Sequence, residues 1–245
     1  MNEAGVSPRI TLRIPGAWSH PTELLKRLAG GFRLGPDHMT LPDGTELEFT
    51  PLQPDEQFSW VFQSACRRPP TDGELAVLGK YTVNIGLSGP GGSFESALTM
   101  MQAAAAIVRA GGAGVFIDNS ALAHGGADWI TMTDDGGPDA VSFAFVAVIR
   151  GAQYVNTMGM QVMGFPELQM RSPDIDQRGE TIIEIIRYIC GGDRMIDVGH
   201  ILADELGQRF QVTASEDDEF DVDSPMHNPY GRLKIVSAKD IAEGN

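Results

Sequence analysis

Apolar and polar positions alternate over Arg9–Ile14 (RITLRI) up to Pro15, a pattern that predicts a strand. Ser19 or His20 then precedes Pro21, which suits a first helical turn, and Glu23, Leu24, Leu25 and Leu28 extend a helix that Gly30 and Gly31 stop. Two short alternating runs between Met39 and Thr50 flank the turn residues Pro42, Asp43 and Gly44 and predict a hairpin. Phe58–Cys66 fits strand or helix, and its aromatic and β-branched content favours a strand. Thr71 is placed to cap a short helix over Asp72–Leu78, with acidic residues in its first turn.

The chain is organised around Tyr81–Trp129. Val83, Ile85 and Leu87 predict a strand, and GLSGPGGS (Gly86–Ser93) follows as a turn. From the cap Ser93, the residues Phe94, Ala97, Leu98, Met101, Ala104, Ala105 and Val108 recur at intervals of three and four. Ala and Met lie on nearly every side of this helix, which predicts burial over most of its surface before Gly111 and Gly112 end it. Gly114–Ile117 is a short buried strand, parallel to the first by the handedness and reach of such a crossover. Beyond Trp129, the segment DDGGP (Asp134–Pro138) reads as a subdomain edge. Ser142–Ile149 and Tyr154–Met163 read as adjacent strands, Ile175–Cys190 as an inward-facing isoleucine helix, and Arg209–Thr213 and Arg232–Val236 as closing strands.

These elements predict an α+β fold with mixed, mainly antiparallel sheets and helices packed on one face. The split strand–helix–strand unit is ferredoxin-like, and the two halves leave room for two copies of it, although no residue-level repeat marks a duplication. Residues 1–80 form a strand–helix–hairpin portion and 81–245 the main portion of one compact unit.

Charge narrows the partners. The formal net charge is −15, with 9 basic against 12 acidic side chains in residues 1–122 and 9 against 21 in residues 123–245. An acidic second half repels phosphate backbones and anionic bilayers, so neither nucleic acid nor a membrane is an expected partner. The apolar run Val141–Ile149 is too short to span a bilayer, and the N-terminus has no apolar signal core, which points to the cytoplasm. Cys66 and Cys190 have neither metal-ligand nor redox spacing and read as reduced packing thiols.

Candidate chemistry falls into two places. In the glycine-rich turn, Gly89, Gly91 and Gly92 precede a helix N-terminus where backbone amides can hold an anion, yet the Lys and Ser/Thr of a phosphate-binding loop are missing and the spacing is not a dinucleotide fingerprint. A tight turn is the competing explanation. In the second place Asp118, Asn119, Ser120, His124 and Asp128 follow a buried strand end, where ligands bind in open sheets. As catalytic groups, Ser120 would be the nucleophile, His124 its base and Asp128 or Asp118 the orienting carboxylate. As a ligand site, Asp118 and Asn119 would bind directly. As structure, the same residues would cap the next element and bond locally. If Ala121–Ile130 is helical, Ser120, His124 and Asp128 share a face, although Gly125 and Gly126 weaken that helix. A metal would lack a third ligand there, and the acidic run SEDDEFDVD (Ser215–Asp223) lacks the glycine and closing glutamate of an EF-hand loop. No cofactor is indicated.

Three stretches, VFIDNSALAHGGADW, YVNTMGMQVMGFPEL and HNPYGRL, resemble a family of uncharacterised bacterial proteins known only as a domain of unknown function. The resemblance spans Tyr81–Val236 and leaves the first 80 residues poorly matched. It implies an intracellular α+β protein and brings no reaction, cofactor or catalytic residue. On these grounds the expected function is a non-catalytic binding or interaction protein for a protein or small molecule, with a small Ser120/His124/Asp hydrolase as the alternative.

Overall fold

Two sheets, both mostly antiparallel, close on a shared layer of helices in an α+β fold. The computed structural model describes residues 8–175, 179–192, 196–203, 207–215, 220–238 and 241. Four residues of the acidic run, 216–219, lie outside this set.

In the first sheet, β1 (Arg9–Gly16) pairs antiparallel with both β5 (Val83–Pro90) and β6 (Gly114–Ile117), so β5 and β6 run parallel with β1 between them. After the short helices α1 (Pro21–Arg27), α2 (Phe58–Ala65) and α3 (Asp72–Leu78), the helix α4 (Phe94–Arg109) makes the crossover, which is the split unit the pattern predicts. The sheet extends through β4 (Glu46–Leu52), β3 (His38–Thr40) and β2 (Arg33–Leu34) on one side and β7 (Leu122–Gly125) on the other. Residues before and after position 80 thus share one sheet. In the second sheet, β10 (Glu167–Arg171) lies between β9 (Tyr154–Met158) and a parallel β13 (Arg232–Ser237). Strands β12 (Arg209–Ala214) and β11 (Ile201–Ala203) complete one side and β8 (Ala147–Arg150) the other. Here the crossover through α7 (Glu180–Gly191) passes over two strands, so the two sheets share the principle of a split unit and differ in strand order.

The helix α4 carries the packing. Ala97, Met100, Met101, Ala103–Ala106, Ile107 and Val108 are all buried, leaving little of its surface to solvent. Alanines let strands and neighbouring helices approach closely, while Met, Ile and Val fill the remaining gaps. One core joins it to Leu12, Ile14 and Leu87 of the first sheet and to Leu168, Met170 and Ile235 of the second.

Several segments differ from their sequence expectation: of the expected strand Tyr154–Met163 only Tyr154–Met158 is extended, Met160–Met163 forming a 3₁₀ turn, and the isoleucine helix expected over Ile175–Cys190 runs as α7 from Glu180. Phe58–Ala65 is a helix, α2, because Phe58, Val61, Phe62 and Ala65 recur at helical spacing and pack behind β6 with Phe116, whose side chain alternates with those of Val115 and Ile117. Pro138–Phe145 is a helix, α6, and of the strand expected over Ser142–Ile149 only Ala147–Ile149 is extended, within β8. The strand β5 continues to Pro90, so Gly86 and Gly89 lie within it and the turn is shorter than its glycine content suggests. DDGGP separates two helices of the same core, with Gly136 in the left-handed conformation at the end of α5 (Gly126–Asp135) and Pro138 opening α6.

Leu12, fully buried in the central strand, tests this core: Leu12→Ala should lower unfolding stability by about 2–5 kcal/mol in urea titration. Leu25→Ala, at a 45% exposed position of the short helix Pro21–Arg27, should change it by no more than about 0.5 kcal/mol.

Candidate functional site

The polar cluster occupies a hairpin turn. Strands β6 and β7 pair antiparallel, and Asp118–Ala121 makes the reversal, with Ala121 in the left-handed region at φ 51°, the one non-glycine residue to be so among the described residues. His124 therefore stands on a strand and Asp128 on the following helix, so the shared helical face expected for Ser120, His124 and Asp128 does not form.

Turns are usually exposed because their backbone groups need water. This one is buried, and its polar groups must find partners inside the protein. Asn119, 1% exposed, accepts a hydrogen bond at Oδ1 from the Thr11 amide (3.0 Å) and donates from Nδ2 to the carbonyls of Arg9 and Pro225 (each 2.8 Å). Its amide prolongs the β1–β6 pairing past the end of β6 and ties the loop at Pro225 to it. Asp118 is held by the Arg13 guanidinium, whose Nε lies 2.8 and 3.0 Å from the two carboxylate oxygens. Burial pushes its carboxyl above the ordinary range, and Arg13 opposes that shift. Asp128 pairs at the surface with Arg68 (3.2 Å).

His124 is 2% exposed, set between the rings of Trp129 and Phe143. Its Nε2 donates to the Ala144 carbonyl at 2.9 Å, which fixes the tautomer, and burial drives its pKa down to about 4. The Ser120 hydroxyl, also buried, has no hydrogen-bond partner, so it is not hydrogen-bonded to His124. The five residues thus have separate surroundings: Asp118 and Asn119 line a cavity of about 650 Å³ beside Pro8 and the 222–229 loop, His124 is in the core, Asp128 is at the surface, and Ser120 faces a different cleft.

The glycine-rich turn is committed as well. The Gly91 amide donates to the Pro8 carbonyl (2.8 Å) and the Gly92 amide to the Val162 carbonyl (3.0 Å), so neither is available to an anion. Side chains at these positions would collide: a Cβ on Gly89 would come within 2.7 Å of Leu47 and Met100, and one on Gly92, at φ 82°, within 2.5 Å of the Tyr230 hydroxyl. The turn is a seam where the two sheets meet. Among the described residues, no group of three or more His, Cys, Asp and Glu is arranged to hold a metal ion.

The cleft that Ser120 lines has a volume of about 590 Å³ and runs between the Ser64–Arg67 segment, α6, β8 and α7. Arg67 is the residue that sequence reasoning passed over. It follows α2, half-buried, with its guanidinium 4.5 Å over the Phe143 ring and an Nη2 hydrogen bond to the Val146 carbonyl. Burial lowers its pKa to about 10, within the range where it stays protonated. Its signal is positional: an Arg-Arg pair in an acidic chain, between a helix end and two prolines.

The buried ring of His124 makes stability depend on acid. Its folded pKa lies below the unfolded 6.5, so the neutral ring stabilises the fold above pH 6.5 and that contribution is lost as pH falls towards about 4. The interval corresponds to about 3 kcal/mol. In His124→Gln, which keeps an N–H donor for Ala144, chemical unfolding between pH 7 and 4 should show a flatter pH dependence; a slope equal to that of the wild type would contradict this assignment.

Comparison with known proteins supplies no precedent, since no protein-family model, curated protein or solved structure matches the chain.

Proposed function

We propose that this chain is a non-catalytic binding protein of the cytoplasm, whose ligand or partner segment occupies the cleft between the Ser64–Arg67 segment, α6, β8 and α7. The observation that carries this reading is where hydrogen-bonding capacity remains unused. Asp118, Asn119, His124 and Asp128 are each bonded within the protein, whereas the Ser120 hydroxyl is buried and unpartnered, in a residue that lines an open cleft. A hydrolase would need Ser120 and His124 joined by a hydrogen bond, and that support is missing. The volume of about 590 Å³ lies in the range that holds small ligands. The net charge of −15 supports neither nucleic acid nor an anionic bilayer as partner, and no helix among the described residues is long and apolar enough to cross a membrane.

A fragment screen read by amide chemical shifts should cluster its perturbations on Ala65–Arg67, Ser120–Leu122 and Val146–Ile149. Perturbations confined to other surfaces would overturn the assignment of the cleft. A fluorophosphonate probe for serine hydrolases should label neither the wild type nor Ser120→Ala; labelling that Ser120→Ala abolishes would restore the hydrolase.

A further inference from the structure

We propose that the ligand of this cleft is a small monocarboxylate with an apolar body, its carboxylate held by the Arg67 guanidinium beside the Ser120 hydroxyl. The inference rests on the cleft being the binding site, and it adds the chemical class of what binds there.

Charge is the first support. Arg67 has no carboxylate partner among the described residues: its Nη2 meets the Val146 carbonyl and its face meets Phe143, while the neighbouring Arg68 is paired with Asp128. Among the described residues, the other charged side chains on the cleft wall, Asp139 and Arg187, approach each other at 3.7 Å. Among the described residues, Arg67 is therefore the cation of the cleft without an ionic partner. A half-buried guanidinium presents a planar fork of donors, and a carboxylate matches that fork with two parallel hydrogen bonds. A doubly charged phosphate would bring a second negative charge that no unpaired cation offsets, with Asp139 nearby.

The second support is the orphan hydroxyl. A buried polar atom without a partner is costly, and a hydroxyl both donates and accepts. The Ser120 hydroxyl makes no hydrogen bond that a carboxylate oxygen at the cleft would have to displace. The third is the remaining wall: Met158, Ile149, Ile183 and Ile186 line the same cleft, and Ile149 and Ile183 keep 44% and 36% of their surface exposed. An apolar body laid against them removes that surface from water.

Octanoate, octan-1-ol and octyl phosphate share one tail and differ in the head, so calorimetric titration of the full chain with each, with amide shifts locating the site, separates the alternatives. Octanoate should bind in the cleft at least about tenfold more tightly than octan-1-ol, as a charge-assisted hydrogen bond predicts. Arg67→Met should reduce octanoate to the level of the alcohol and leave the alcohol unchanged. Ser120→Ala, which removes no existing bond, should weaken octanoate about fivefold. Equal binding of octanoate and octan-1-ol in the cleft, or tighter binding of octyl phosphate, would overturn the carboxylate while leaving the cleft as the binding site. Binding of all three elsewhere, or of none, would remove both. If Arg67→Met fails to fold, the comparison of heads on the wild type decides.

Discussion

The burial of α4 on nearly all sides is the constraint from which the rest of the architecture follows. A helix with one apolar stripe needs one sheet, whereas a helix whose Ala, Met, Ile and Val positions encircle it must be covered from several directions. The first sheet covers one side through Leu12, Ile14 and Leu87, and the second sheet's turn covers another through Met160 and Val162. The two sheets are thereby parts of one core, and separating them would expose the helix that joins them.

Where the sheets meet, the contacts are polar and specific. Asn119 reaches from the first sheet to the Pro225 carbonyl of the second unit's loop. On the other side of the seam, Glu167 is fully enclosed and accepts hydrogen bonds from Thr157, the amides of Gly159 and Met160, and Asn228, which holds the Gly159–Gly164 turn against the end of β10. Burial raises its carboxyl, and these four donors oppose the shift. Gly92 and Gly164 then come so close that a Cβ on Gly164 would stand 2.5 Å from the Gly92 carbonyl. The glycine of VMGF is thus explained by backbone-to-backbone approach, whereas Gly89 and Gly92 of GLSGPGGS leave room for the Leu47, Met100 and Tyr230 side chains.

Much of the fold was legible because its strongest patterns are local. The three-and-four spacing of α4, the Thr71–Glu74 capping box and the alternation in β1 each depend on near neighbours alone. Phe58–Ala65 misleads because aromatic residues suit a strand, whereas packing against Phe116 and Tyr81 selects the helix, and those partners are distant in sequence. The site was less legible for the same reason. Asp118, Asn119, Ser120 and His124 are neighbours in sequence, but a buried hairpin turn sends their side chains in different directions. Arg67, Ser120, Phe143 and Ile183 come from four separate segments and share a cleft only after both sheets have closed.

This distinction also decides where a ligand has free energy to gain. Asn119 already makes three hydrogen bonds, and both Asp118 oxygens accept from the Arg13 Nε, so each is already engaged within the protein. Ser120 and Arg67 differ because folding leaves their capacity incompletely used, and any partner that completes it adds bonds without removing others. A polar cluster in sequence shows where polar atoms are, and the hydrogen-bond accounting of the folded chain shows which of them still have something to offer. In this protein the two answers part at Ser120, the one member of the cluster whose side chain the fold leaves unsatisfied and beside a cleft.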